Sequence, residues 1–159
     1  MSATSPFLRG LLRRQEGTAT IEMALATPIF AMLMMGMVDT SLAIAQKLTL
    51  EGAAQRAVEK ATAYGSAGSD YSDLVAEAAE AAGVDAANVV MDKWLSCDDV
   101  RQDYFTDVCD AGDEISRHIR ITVNDTYEPF FNYGPIGRLA GAEPDGLIPL
   151  AATAEVRIQ

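Results

Sequence analysis

The chain has 159 residues, 49 % of them hydrophobic, and its 12 basic and 23 acidic side chains give a net charge of −11. That length allows one modest core beside an apolar anchor and argues against two full globular domains. Residues 46–159 hold 9 basic and 20 acidic groups, so this part repels phosphate backbones; with no basic patch or base-stacking platform, nucleic-acid binding is disfavoured.

The first seventeen residues carry Arg9, Arg13 and Arg14 against Glu16 alone. From Thr18 to Val38 the chain is almost entirely apolar or small. As a helix these 21 residues extend about 31 Å, enough to cross a hydrocarbon core of about 30 Å. Pro28 interrupts the run near its start and Asp39 marks its exit. The arginines place the N-terminus in the cytoplasm and the remainder across the membrane.

Glu22 is the anomaly in this run, because an ionised side chain costs roughly 2.5–3.5 kcal/mol at the bilayer centre on insertion scales. Three readings compete. A secretory signal would be cut after the apolar core, where Leu42-Ala43-Ile44-Ala45 offers a small-x-small site. An uncleaved anchor explains the length of the run but not Gly17 followed by Glu22. The third reading cuts before the core, after Gly17, and leaves the helix in the mature protein. Thr18 then has a free α-amine, and Glu22 lies one helical turn on, on the same face. The amine of one subunit and the carboxylate of its neighbour can neutralise each other, and a paired buried charge costs far less than a lone one. An interfacial Glu22 that simply faces headgroups is the plainer alternative.

The residues RRQEG before TATIE, and the helix MALATPIFAMLMMGMVD after them, look like a class of type IV prepilin signal. More narrowly, EGTATIEMALATPIF resembles the TadE-like minor pilins, or pseudopilins, of bacterial tight-adherence (Flp) pilus systems. The resemblance is specific over about residues 13–40 and diffuse beyond them. It implies a leader removed by an aspartic prepilin peptidase of the inner membrane, a single-pass chain with its head in the periplasm, and other pilins and the pilus assembly platform as partners. It also implies a role in pilus assembly, adhesion or biofilm formation, with no catalytic residues in this chain and no cofactor. Major pilins of these systems often follow the Glu with Tyr and are much shorter; Met23 and the length here point to a minor component. The rival from another class is a signal-anchored periplasmic scaffold or binding protein unrelated to pili.

After Asp39 the helical spacing continues through Leu42, Leu50, Ala54, Ala57, Val58, Ala61 and Tyr64 to a stop at Gly65. The anchor and this amphipathic stretch can form one long helix. GSAGS at 65–69 reads as a joint. A short helix follows from about Tyr71 to Ala82, with Ser69 or Asp70 as N-cap, Gly83 as its end, and Leu74, Val75, Ala78 and Ala81 on its core face. Beyond it the period becomes two. Val89, Met91 and Lys93 alternate with Val90, Asp92 and Trp94 in a first strand; Ile119, Ile121 and Val123 line a second; Ala152, Ala154, Val156 and Ile158 line a third. Glu128 to Pro149 reads as a long ordered loop whose Phe130, Phe131 and Tyr133 are expected to pack onto the core, the alternative being a contact surface for a pilus partner.

Cys97 and Cys109 both follow the apolar segment, which fits an oxidising compartment. A disulfide between them contributes roughly 3 kcal/mol in the chain-entropy model; two unpaired buried thiols are the alternative. Zinc lacks a close Cys pair, and His118 is the single histidine. The acidic run Asp98, Asp99, Asp103, Asp107, Asp110, Asp113 and Glu114 lacks the spacing of an EF-hand and reads as a solvated loop rather than a calcium site. His118 falls on the outer face of a strand near Arg117 and Arg120, without a nucleophile motif or phosphate loop, so no enzyme activity and no metal are expected. The expected architecture is α+β: a leader over 1–17, a transmembrane and amphipathic helix over 18–64, and an exported head over 65–159 in which a short helix and a small antiparallel sheet pack on the long helix.

Overall fold

The computed structural model describes residues 16–64, 71–131, 134–139 and 141–158, and the chain divides into two units after Thr40. Helix α1, Glu16–Tyr64, contributes to both. In the first unit it carries Pro28 within its length. Proline has no N–H to offer the carbonyl four residues back, so the helix loses one bond there; beside it, the Thr27 hydroxyl donates to the Met23 carbonyl at 2.6 Å. Asp39, read as the exit from the apolar run, is buried and partnered.

In the second unit the remaining turns of α1 bury Leu50, Ala53, Ala54, Ala57, Val58 and Ala61, a stripe at steps of three and four that faces the core. The alanines let the helix approach its neighbours closely while burying little area of their own, so its position depends on what packs against it. Those neighbours are Leu74 and Ala78 of helix α2, Ser72–Ala82, and Val89, Ile119, Ile121, Val123 and Ala152 of the sheet. Ala79 of α2 is buried as well, and Ala81 is half-buried.

Helix α2 ends as its sequence predicts. Gly83 adopts a left-handed backbone with φ 71°, a conformation that costs a residue with a Cβ about 1–2 kcal/mol. Its N–H donates to Glu80 O at 3.2 Å, and the Val84 N–H to Ala79 O at 3.0 Å, the paired bonds of a Schellman stop. The expected caps Ser69 and Asp70, and the joint at 65–69, lie outside the described residues; Tyr71 holds the N-cap position, and its side chain does not cap the helix. A 3₁₀ turn, Ala86–Asn88, follows, capped by Asp85, whose carboxylate accepts the Ala87 N–H at 2.8 Å.

Four strands form one antiparallel sheet: β1 Val89–Cys97, β2 Val100–Arg101, β3 Ile115–Tyr127 and β4 Ile148–Arg157, in the order β2-β1-β3-β4. Val89, Met91 and Lys93 pair with Val123, Ile121 and Ile119, and the last two apolar partners of β3, Val123 and Ile121, pair in turn with Ala152 and Ala154. The expected α+β class and three strands are present, with β1 running three residues further, to Cys97. The added strand β2 follows a two-residue turn, Asp98-Asp99, with φ of 49° and 63°; positive φ at both positions suits the right-handed twist of a hairpin, and aspartate tolerates it. The segment expected to be pure loop contains a short helix α3, Gly134–Leu139. Phe130 and Phe131 do not pack onto the core but are exposed. Tyr133 lies outside the described residues.

Tyr71 is buried. Its ring meets Phe105 edge-on at 6.1 Å, and the Lys93 ammonium stands 5.8 Å from its centre. Burial pushes its phenol pKa above the ordinary 10.0, against an opposing pull from Arg117. An acid whose pKa rises on folding stabilises the fold below its unfolded pKa and loses that contribution as pH climbs through the folded value. Urea midpoints are therefore expected to fall between about pH 10 and the folded pKa, and Tyr71→Phe is expected to remove part of that fall.

Candidate assembly site on the apolar helix

Gly17, Thr18 and Glu22 all lie in the first turns of α1. Thr18 and Glu22 stand four positions apart in the helix, about 6 Å along its axis. Glu22 is exposed. The sequence has no Lys or Arg between Arg14 and Lys47, so no basic side chain within six helical turns on its C-terminal side can neutralise this carboxylate.

Around Glu22 the helix is apolar on every side. Ile21, Met23, Leu25, Ile29, Phe30 and Met32 are all exposed; a helix hydrophobic all round belongs in lipid or among other apolar helices. Among the described residues one helix is long and apolar enough to cross a membrane, and it is this one.

In the head, Cys97 and Cys109 are joined in a disulfide with a Cα–Cα distance of 5.6 Å. It closes the segment that carries Phe105, whose ring centre is 5.5 Å from the Lys93 ammonium and 5.9 Å from the Arg117 guanidinium. An Asp113 carboxylate oxygen comes within 4.8 Å of both sulfurs, a grouping that resembles a metal triad, but the S–S bond occupies both thiols. Several of the loop acids instead hold turns. Asp98 accepts the Glu114 N–H at 2.8 Å, Asp107 the Tyr104 N–H at 3.1 Å, and Asp113 the Asp110 N–H at 3.1 Å.

Sequence reasoning missed one constellation on the outer face of the sheet. Trp94 and His118, paired across β1 and β3, stack at 5.1 Å with their rings nearly parallel. The Arg101 and Arg120 guanidiniums stand 4.6 and 4.9 Å from the Trp94 ring centre. Arg101 is tied to Asp92 at 2.9 Å and Arg120 to Glu155 at 2.8 Å, and Glu155 also meets His118 Nδ1 at 3.1 Å. The alternation of Trp94 with Lys93, and of His118 and Arg120 with Ile119, was the available signal; what it lacked was the register. Arg117, expected beside His118, turns to the inner face and Phe105. Each cation of this ladder has an acid partner, and exposed pairs of this kind contribute about 0–1 kcal/mol each. At the far end of the sheet, Asn88, Asn124, Asp125, Thr126, Pro149, Leu150 and Ala151 line an open groove of about 320 Å³. Its polar groups bond to protein, Asn124 Nδ2 to Asn88 O at 3.2 Å and Asp125 to Gln46 Nε2.

No curated protein and no solved structure matches the chain. Residues 17–59, which open at the glycine before Thr18 and run through the apolar helix, match the family model described as TadE-like protein, and the resemblance read in EGTATIEMALATPIF is that of a TadE-like segment.

Proposed function

We propose that this chain is a minor pilin of a tight-adherence, type IV-like pilus, cut after Gly17 by a prepilin peptidase and built into or beneath the pilus by packing of its apolar helix. The observation that carries the reading is the TadE-like match beginning at residue 17, one residue before the amine that the cut would free. The lone carboxylate one turn further on supports it. In this reading the Thr18 ammonium of one subunit pairs with Glu22 of its neighbour at a common depth, so the pair sets the register of adjacent helices. The disulfide-closed head stays on the periplasmic side of the inner membrane until assembly. The chain itself has no catalytic role and no cofactor; it is the peptidase's substrate and the partner of other pilins.

Blocking the cut tests the processing step. In the native host, Gly17→Asp is expected to accumulate in the inner membrane at full length, while the wild-type chain migrates as a shorter species. Equal sizes for the two would count against processing at this position.

A further inference from the structure

Phe130 is 74 % exposed, Phe131 43 % and Leu139 90 %, although the strand ends that flank them, Tyr127 and Ile148, are buried or half-buried. Burying a Phe or Leu side chain is worth about 1.5–3 kcal/mol, and three large apolar side chains left out within ten residues mark a surface that meets something. Their place in the head indicates what. The Gln46 amide donates to Asp125, and the Lys47 ammonium to the Ala151 carbonyl. The last β3–β4 pair, Tyr127 with Ile148, lies just beyond these contacts, so Phe130, Phe131 and Leu139 leave the sheet at the end held by Gln46 and Lys47. Gln46 is only eight residues past Val38, where the apolar run ends. Eight residues reach about 12 Å as helix and under about 30 Å fully extended. Covalent connection alone therefore bounds the separation of Gln46 from the end of the apolar run at about 30 Å.

The connection that carries these side chains holds Glu128, Glu143 and Asp145 against Arg138, and the opposite end of the sheet is the more acidic of the two. There Cys97 pairs with Ile115, and the connecting loop carries Asp98, Asp99, Asp103, Asp107, Asp110, Asp113 and Glu114. A surface of anionic lipids repels such an end. Phe and Leu beside a polar surface are the side chains that enter the headgroup and acyl boundary.

We propose that Phe130, Phe131 and Leu139 insert into the bilayer interface and hold the β3–β4 end of the head against the lipid surface while the chain is in the membrane. The inference rests on the reading of α1 as a membrane anchor, and the test separates the two. The full-length chain, with Cys97 and Cys109 left bonded, is spin-labelled at single positions through Phe30→Cys, Phe130→Cys, Leu139→Cys or Val100→Cys. It is then reconstituted in vesicles of phosphatidylethanolamine and phosphatidylglycerol, with Trp94 emission confirming that each head is folded. Collision with oxygen is expected to exceed collision with a water-soluble nickel chelate at 30, 130 and 139, and to fall below it at 100. Lipid-like behaviour at 30 with water-like behaviour at 130 and 139 overturns the interfacial contact and leaves the anchor standing. Water-like behaviour at 30 overturns both. Labels at 130 and 139 that become shielded only when other pilus subunits are added assign the surface to a protein partner and overturn the lipid contact.

Discussion

Glu22→Ala is expected to leave the protein in the membrane fraction and to abolish its incorporation into pili. Insertion cannot suffer, because removing an ionised group from an apolar helix lowers the transfer cost by up to roughly 2.5–3.5 kcal/mol. In the proposed pairing, assembly suffers because the variant would strand the neighbouring Thr18 ammonium among apolar helices, and breaking one side of a buried ion pair costs about 3–5 kcal/mol. At 1.4 kcal/mol per tenfold, that is a loss of about 100-fold or more at each subunit contact. Glu22→Gln separates charge from size: it keeps the shape and a hydrogen-bonding end, and is expected to fail nearly as badly. Pull-down of partner subunits from detergent-solubilised membranes, with pili counted by microscopy, checks both variants. Normal piliation with Glu22→Gln would leave the carboxylate without the role given to it.

Replacing both Cys97 and Cys109 with serine is expected to lower the stability of the head by about 3 kcal/mol, the loop-closure contribution of a bridge between residues twelve apart. Domains of this size are stable by only about 5–15 kcal/mol, so the urea midpoint, followed through Trp94 emission, is expected to drop by roughly a fifth to three fifths. The loss has a structural route. The bridge holds the loop bearing Phe105, whose ring seals Tyr71 beneath Lys93 and Arg117; with the loop free, Tyr71 loses part of its cover. The double variant should therefore also flatten the alkaline decline attributed to Tyr71. An unchanged midpoint would mean that the loop is held by its turn-forming aspartates alone.

The parts of the fold that were legible in the sequence were those in which one residue type repeats at a fixed step. Ile119, Ile121 and Val123 are fully buried because alternation forces one face of a strand inward. Leu50, Ala54, Ala57 and Ala61 are fully buried for the helical counterpart of that reason. Gly83 announced the end of α2 because a left-handed residue is needed there. The two-residue strand β2 is too short to show a period, and α3 lies in a segment rich in Gly and Pro that carries no helical spacing. Phe130 and Phe131 were misjudged for a related reason: outside a periodic element, an apolar side chain says only that it dislikes water. The Trp94 ladder depends on register between β1 and β3 and on two arginines from separate strands, which no single stretch of sequence contains. For the candidate site, the four-residue step from Thr18 to Glu22 was readable because both lie on one helix. The proposed partner follows from the same step, because a cut after Gly17 would free an amine one helical turn before Glu22.

In the proposed pairing a newly made α-ammonium compensates Glu22 at the edge of the lipid. Intact-mass analysis of the protein purified from its native host tests it most directly. The expected polypeptide starts at Thr18 and retains the whole apolar helix. A chain that still carries Arg9, Arg13 and Arg14, or one that starts after Ala45, would contradict it.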